Sequence, residues 1–467
     1  MTQTDPGFDL EAISLDDAHH IHPWTDFAAR ATMPPEVIVS GKGPYIETAA
    51  GSRLLDANGG GLSAVTLGYG NTEIADAIAD QVRRLQFYSH FGQFTAPPAA
   101  ELSAALARLA PAHINHSHFG TSGSIANETA IRLIHYYFNQ LGQPDKKDVI
   151  ALTRGYHGST LLSASLTGID FFRLGFDTLT ERIHHLPAPN PYHRPEGSTV
   201  EEFCDAQIDG LRAKIEEIGP DRVACMIAEP IMAVGGVITP PPGYLRRAQA
   251  VCREYGVLFV TDEVVTGFGR LGEYFCAEPV FGARPDVITC AKGLTSGYLP
   301  MSATLVSDEI HDVISVPQVP GGLLTHGFTY SGHPVVCAAA LKVIEIMERD
   351  DICGHVREVG PYFEEQLATL ADIPMVGDIR GSHMIHAVEL VVDRATREPF
   401  DHSVEISKRI ARHAQARGAM IRPMQHIVIV APPIVLSRTE IDTLVGVLGD
   451  SIEATAKDLA AEGVWHG

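Results

Sequence analysis

Two stretches decide the fold: Val257-Leu258-Phe259-Val260-Thr261-Asp262-Glu263 and, further on, Val287-Ile288-Thr289-Cys290-Ala291-Lys292-Gly293. Each is a short apolar run that ends in an ionisable residue, the pattern of a strand covered on both faces. Val149–Thr153 and Val223–Ala228 read the same way. Between two of these runs, residues 243–255 read as a helix opened by Pro242-Gly243. Strand and helix in alternation imply a parallel sheet in an α/β fold. Ligands of such sheets bind beyond the carboxyl ends of the strands. Asp262 and Lys292 therefore stand where chemistry is expected.

Outward from that centre, residues 1–40 read as an extended arm with little regular structure. Tyr45 to Leu55 forms a hairpin around Ala50-Gly51, and the glycines 59–61 form a loop. Residues 73–85 and 98–110 are helical. The stretch 187–200 is a polar, proline-rich surface loop. Ser331-Gly332-His333-Pro334 opens a long helix over 335–349, and strands follow near 384–392 and 426–431. This gives an N-terminal arm with part of a small domain (1–75), a large domain (76–332) and a C-terminal small domain (333–467). No repeat of fixed period is present.

Composition narrows the function. The chain has 467 residues, 45% of them hydrophobic, enough for more than one core. Lys and Arg total 35 against 57 Asp and Glu, a formal charge of -22, which argues against nucleic acid or an anionic membrane surface as partner. The start, MTQTDPGFDLEAISLDD, is acidic and lacks the apolar core of a signal peptide. No stretch has the apolar length of a membrane helix. Seven cysteines occur without a CxxC spacing, as in a reduced cytoplasmic protein with neither disulfide frame nor metal site.

Five places carry candidate chemistry. Thr121-Ser122-Gly123-Ser124 precedes a helix with apolar positions Ala126, Ala130, Leu133, Ile134 and Tyr137. Ser122, Gly123 and Ser124 make either a phosphate cradle or plain capping. Tyr156, in Arg154-Gly155-Tyr156-His157-Gly158 at a strand exit, can stack on a flat ring or pack over a turn. His157 binds beside it or satisfies a backbone carbonyl. Glu229, at another strand exit, is a positioned carboxylate or a capping group. Asp262 ends an apolar strand where an unpaired charge is costly. It pairs either with a protonated ring nitrogen or with an arginine such as Arg270. Lys292 is a desolvated nucleophile, or a lysine snorkelling from a strand end.

One chemistry satisfies the lysine and the acid together: pyridoxal phosphate bound as a Schiff base to Lys292, its ring nitrogen held protonated by Asp262. A positive ring nitrogen drains electrons from the substrate Cα carbanion, and Lys292 then moves the proton. Val264 packs against the other ring face. The order and shared location of the five places speak more strongly than any one of them.

Taken in order, TSGSIANETAIR, RGYHGST, IAEPI, TDEVVTGFGR, ITCAKGLTSGYLP, HGFTYSGHP and MIRPM resemble the class III (ω) aminotransferases among the fold-type I pyridoxal phosphate enzymes. HGFTYSGHP and the early HHIHPWTD resemble the amine:pyruvate branch. The resemblance implies a large domain with a mainly parallel seven-stranded sheet and a smaller α+β domain. It implies Lys292 as the catalytic lysine and Asp262 on the pyridine nitrogen. Val264 and Tyr156 flank the ring, Ser122, Gly123 and Ser124 surround the phosphate, and His157 and Glu229 lie beside the cofactor. Thr329 reaches the phosphate of the neighbouring subunit of a homodimer with shared active sites; the dimers either stay single or pair into tetramers. Arg422, in MIRPM, binds the carboxylate of the amino acceptor, which its planar fork suits.

The implied reaction is ping-pong transfer from an amine, diamine or ω-amino acid to pyruvate, giving L-alanine and an aldehyde or ketone. The alternatives within the family are a 2-oxoglutarate-dependent transaminase, a 2-aminomutase, a dialkylglycine decarboxylase and a racemase. Three positions depart from the family pattern: Ile125 replaces an acid, Ser63 stands where relatives carry a tryptophan, and Gly92 where they carry a bulky aromatic. Leu62, Ser63, Tyr88, Phe91 and Tyr156 would then line a widened substrate pocket.

Overall fold

The computed structural model describes residues 6–30, 35–318 and 322–465. Seven strands form the central sheet: β1 (Ile114–Gly120), β2 (Asp148–Leu152), β3 (Ile183–Leu186), β4 (Val223–Ala228), β5 (Leu258–Asp262), β6 (Val287–Cys290) and β7 (Ser302–Ser307). Their spatial order is β1-β7-β6-β5-β4-β2-β3. All pairings are parallel except those of β7, which runs antiparallel to both β1 and β6. The fold is α/β with a mainly parallel seven-stranded sheet, as expected. Every residue of β2, β4, β5, β6 and β7 is buried, which explains why the four runs singled out in the sequence carry so little polarity.

Two smaller sheets flank this core. One is antiparallel and runs Val376–Ser382, Ile385–Asp393, Ile427–Val430, Arg422–Met424 in space. The other joins Ile38–Lys42, Tyr45–Thr48 and Arg53–Asp56 to Ala419–Met420, which pairs parallel with Arg53–Asp56. The N-terminal segment and the C-terminal part thus share a sheet. On these grounds we keep the division at 75 and 332 as our proposal. One apolar core links the helices Thr72–Arg84, Pro97–Leu109 and Pro334–Arg349 to the small sheet through Ile74, Leu102, Leu106, Val343, Val388 and Val428. All seven cysteines are free and buried. Among the described residues no helix is long and apolar enough to cross a membrane.

The arm departs from expectation. Pro6–His19 is a helix and Phe27–Arg30 a single helical turn, where the sequence predicts little regular structure. The reason is local charge. Asp16 and His20 stand four residues apart on one helix face, and the Asp16 carboxylate accepts from His20 Nδ1 at 3.0 Å and His22 Nε2 at 2.6 Å. The Arg30 guanidinium closes on the same carboxylate. That cluster folds the chain back and brings the Trp24 ring to 4.4 Å from Phe172 and 6.2 Å from Tyr156.

Candidate active site

Parallel strands deliver their carboxyl ends to one edge of the sheet. The register pairs Ala228 with Thr261 and Asp262 with Thr289, so Glu229, Asp262 and Lys292 emerge side by side. β1 runs the same way, because two antiparallel steps through β7 restore its direction. Its exit at Gly120 leads into the helix Gly123–Gln140. The amino end of that helix therefore faces the same edge, where unpaired N–H groups and the helix dipole favour an anion.

Asp262 is 4% exposed and surrounded by donors. Its Oδ2 accepts from Asn127 Nδ2 at 2.7 Å and His157 Nδ1 at 2.9 Å, and its Oδ1 from the Val264 amide at 3.1 Å. Two carboxylate oxygens offer about four acceptor positions; among the described residues one stays free, suited to an N–H from a ring nitrogen. The Arg270 ion pair that the sequence left open does not form. Arg270 is fully buried and donates through Nη1 to the carbonyls of Met384, at 2.9 Å, and Pro432. His157 turns Nδ1 to Asp262 rather than to a carbonyl, and its Nε2 is buried without a partner among the described residues.

Sequence reasoning missed Asn127. It also donates to the His157 carbonyl at 2.8 Å and accepts from Thr289 Oγ1 at 2.7 Å, which locks Asp262 to β6. The available signal was a polar residue within the apolar stripe of its helix. Glu263 was missed as well. It is 1% exposed and accepts from the Cys276 and Ala277 amides at 2.6 and 3.0 Å, while burial pushes its carboxyl up to about 7. It clamps the segment that follows Asp262.

Glu229 also holds backbone. Its Oε1 accepts from the Tyr156 amide at 2.9 Å and its Oε2 from the Ala233 amide at 3.1 Å. Burial raises its carboxyl to about 7, opposed by His157 and aided by Asp262. Tyr156 is thereby fixed at the exit of β2, its hydroxyl 3.2 Å from Ser159 Oγ. Ser122 is the N-cap and accepts from the Ile125 amide at 3.3 Å. Ser124 Oγ accepts from the Ser159 amide at 3.1 Å. Gly158, at φ +132, lies so close to Ser124 and Ser163 that a Cβ would strike both hydroxyls. A Cβ on Gly123 would meet the methyls of Val264 at 3.0 Å. The loops thus converge on a small polar cradle at the helix start.

Lys292 is partly buried and has φ +41, a strained conformation for a side-chain-bearing residue. Gly293 is required beside it, since a Cβ there would lie 2.8 Å from that of Phe268. The amine has no hydrogen-bond partner among the described residues. Desolvation, then the charge of Arg422, lowers its pKa to about 8. Arg422 stands in the strand Arg422–Met424, half-buried, with no partner for its guanidinium among the described residues. Burial lowers its pKa, with Tyr156 opposing. A half-buried guanidinium without a partner is an open site for a carboxylate.

The expected wall residues divide. Leu62, Tyr88 and Phe91 are 58%, 50% and 56% exposed on the single chain. Ser63 is buried at φ +58, and its hydroxyl donates to Asn58 Oδ1 at 3.2 Å. Phe91 packs on Gly327, two residues before the exposed Thr329. Trp24, unassigned from sequence, adds an aromatic beside Tyr156.

Comparison with known proteins places the chain in a family. The family model for aminotransferase class-III matches residues 27–452. The putrescine–pyruvate aminotransferase of Pseudomonas aeruginosa is 39% identical, over 97% of this chain and 97% of that protein. The diaminobutyrate–2-oxoglutarate transaminase of Halomonas elongata is 39% identical, over 94% of each. The crystal structure of the ω-transaminase from Pseudomonas jessenii in complex with PMP superposes with a TM-score of 0.93 at 34% identity, covering 96% of this chain and 99% of that one. Fold and site together define a pyridoxal-phosphate-dependent transferase. The chain belongs to the class-III aminotransferases, and its activity is that of a pyridoxal-phosphate-dependent aminotransferase.

Proposed function

We propose that the protein moves an amino group from the terminal carbon of an amine, diamine or ω-amino acid to a 2-keto acid held by Arg422, and that the acceptor set includes 2-oxoglutarate as well as pyruvate. The observation that carries this reading is the half-buried Arg422 guanidinium, without a partner among the described residues, whose charge reaches Lys292 and Tyr156. Pyruvate alone, the narrower expectation from sequence, has less support. Relatives named for pyruvate and for 2-oxoglutarate match equally at 39% identity.

The cofactor supplies an electron sink that makes Cα–H cleavage feasible. This chain's residues do the rest. Asp262 would keep a positive charge on the bound ring nitrogen, and Asn127 and His157 hold Asp262 still. Ser122, Gly123 and Ser124 would receive the phosphate, and Tyr156 and Val264 would hold the ring. Lys292 carries the proton. Leu62, Tyr88 and Phe91 are large hydrophobic side chains exposed on the single chain, the kind of surface a partner covers. A homodimer, with Thr329 serving the neighbouring site, and a cytoplasmic location belong to the same proposal.

Arg422→Ala tests the acceptor site. The keto-acid half-reaction is expected to lose about 10- to 100-fold in kcat/KM, the worth of a charged hydrogen-bond pair. Transfer from an uncharged amine stays within about twofold. Equal losses in both halves would sink the assignment.

A pH experiment tests Lys292. The neutral amine is the nucleophile, and a lysine at about 8 is mostly protonated at pH 7 and mostly neutral at pH 9. Uptake of pyridoxal phosphate by cofactor-stripped protein should accelerate about tenfold between those pH values, followed by the absorbance of the lysine-bound cofactor. A rate independent of pH would refute a depressed lysine.

A further inference from the structure

The loop that follows Glu229 is gripped from both sides. Every residue from Glu229 to Ile238 is buried, and Met232 and Ile238 close the loop with an antiparallel bridge. Arg154, two residues before Tyr156, donates through Nε and Nη2 to the Gly235 carbonyl at 2.9 and 2.7 Å. It does so from φ +65, another strained backbone. From the small sheet, Arg380 Nε donates to the Gly236 carbonyl at 2.7 Å. Arg380 Nη1 pairs with Glu389 Oε2 at 2.5 Å and with Asp378 Oδ2 at 2.8 Å. Glu389 is 1% exposed, and its Oε1 faces His193 Nε2 at 2.8 Å and His426 Nε2 at 3.5 Å.

Two details connect this cluster to Arg422. His426 lies in the turn between Arg422–Met424 and Ile427–Val430, the hairpin that carries Arg422. A Cβ on Gly236 would lie 2.8 Å from Ile427 Cδ1 and 3.0 Å from Arg380 Nη2, so the hairpin rests directly on the loop. At the other end, Glu229 ties the loop to the Tyr156 amide through its bond to Ala233. Arg422 has no side-chain partner among the described residues, so the seat of its strand decides where the guanidinium stands.

We propose that Arg154, the Gly235-Gly236 turn, Arg380 and Glu389 form a strut that sets the position of Arg422 relative to Lys292 and Tyr156, and so tunes recognition of the acceptor carboxylate. His193 and His426 hold the far end. These are positioning residues, and the inference rests on the reading of Arg422 given above. A displacement of about 1 Å at a substrate-orienting group costs up to about 100-fold, so a strut remote from the chemistry has a measurable consequence.

The test uses cofactor-loaded Arg380→Met, Glu389→Gln and Arg422→Ala, with the two half-reactions followed separately by the absorbance of the lysine-bound cofactor. The double variant Arg380→Met/Glu389→Gln removes both charges together, should a single one fail to fold. Cofactor content and melting temperature are recorded for each. For the Arg380 and Glu389 variants the expected result is a loss of about tenfold or more in kcat/KM for pyruvate and 2-oxoglutarate, carried by KM, with the half-reaction of an uncharged amine and the cofactor spectrum unchanged. Arg380→Lys should restore part of the loss. Parallel loss in both halves, or loss in neither, overturns the strut while leaving Arg422 in place. If Arg422→Ala itself spares the keto-acid half, the carboxylate reading falls and the strut falls with it.

Discussion

Lys292→Ala is expected to lower turnover by at least about 10³-fold, within the range a positioned proton carrier contributes. Folding should survive, because the Lys292 amine bonds to nothing among the described residues. Its removal also relieves a desolvated amine and leaves the strained backbone at φ +41 without its task. Three consequences separate this variant from a merely unstable one. The absorbance of the lysine-bound cofactor disappears, while pyridoxal phosphate still binds through Asp262 and the helix start. The melting temperature stays within a few degrees of the parent. Added methylamine restores part of the rate, since a free amine can enter the vacated space and move the proton. A variant that keeps more than a tenth of parental turnover would remove Lys292 from the reaction.

Asp262→Asn carries the second largest effect, a loss of about 10²- to 10³-fold in kcat, the scale on which a preorganised electrostatic partner acts. The carboxylate accepts from three donors, the Asn127 and His157 side chains and the Val264 amide. An amide in its place presents an NH₂ to at least one of these donors in either orientation, so that donor must turn away or remain unsatisfied. It also withdraws the negative charge that keeps a ring nitrogen protonated. Cofactor content should fall less than kcat, because the proposed phosphate cradle at Ser122, Gly123 and Ser124 is untouched. A cofactor analogue whose ring nitrogen carries a permanent positive charge, N-methylated pyridoxal phosphate, should restore part of the activity. No rescue, with wild-type-like kcat in the variant, would refute the pairing.

Much of the site was legible because strand exits leave a mark. An apolar run that stops at an acid or a lysine is costly unless the ionisable group has work, and the runs ending at Ala228, Asp262 and Cys290 lie in adjacent strands. The arm at residues 6–30 was not legible. Its helix rests on a cluster around Asp16 whose partners are spread over fourteen positions, up to Arg30. Asn127 and Glu263 were hidden for a different reason. Each acts on groups far along the chain, Asn127 on Asp262 and Thr289, Glu263 on Cys276 and Ala277.

The sequence by itself determined the parallel sheet, the lysine and acid at its edge and the helix start that faces them, because hydrophobic period and strand-exit chemistry are local properties of the chain. Only the tertiary structure decided what holds those groups: Asn127 rather than Arg270 on or near Asp262, Trp24 beside Tyr156, and two arginines on the Gly235-Gly236 turn. Hydrogen bonds act over about 3 Å in space and leave no periodicity in the sequence. Their partners are fixed only when register and packing bring distant segments into contact.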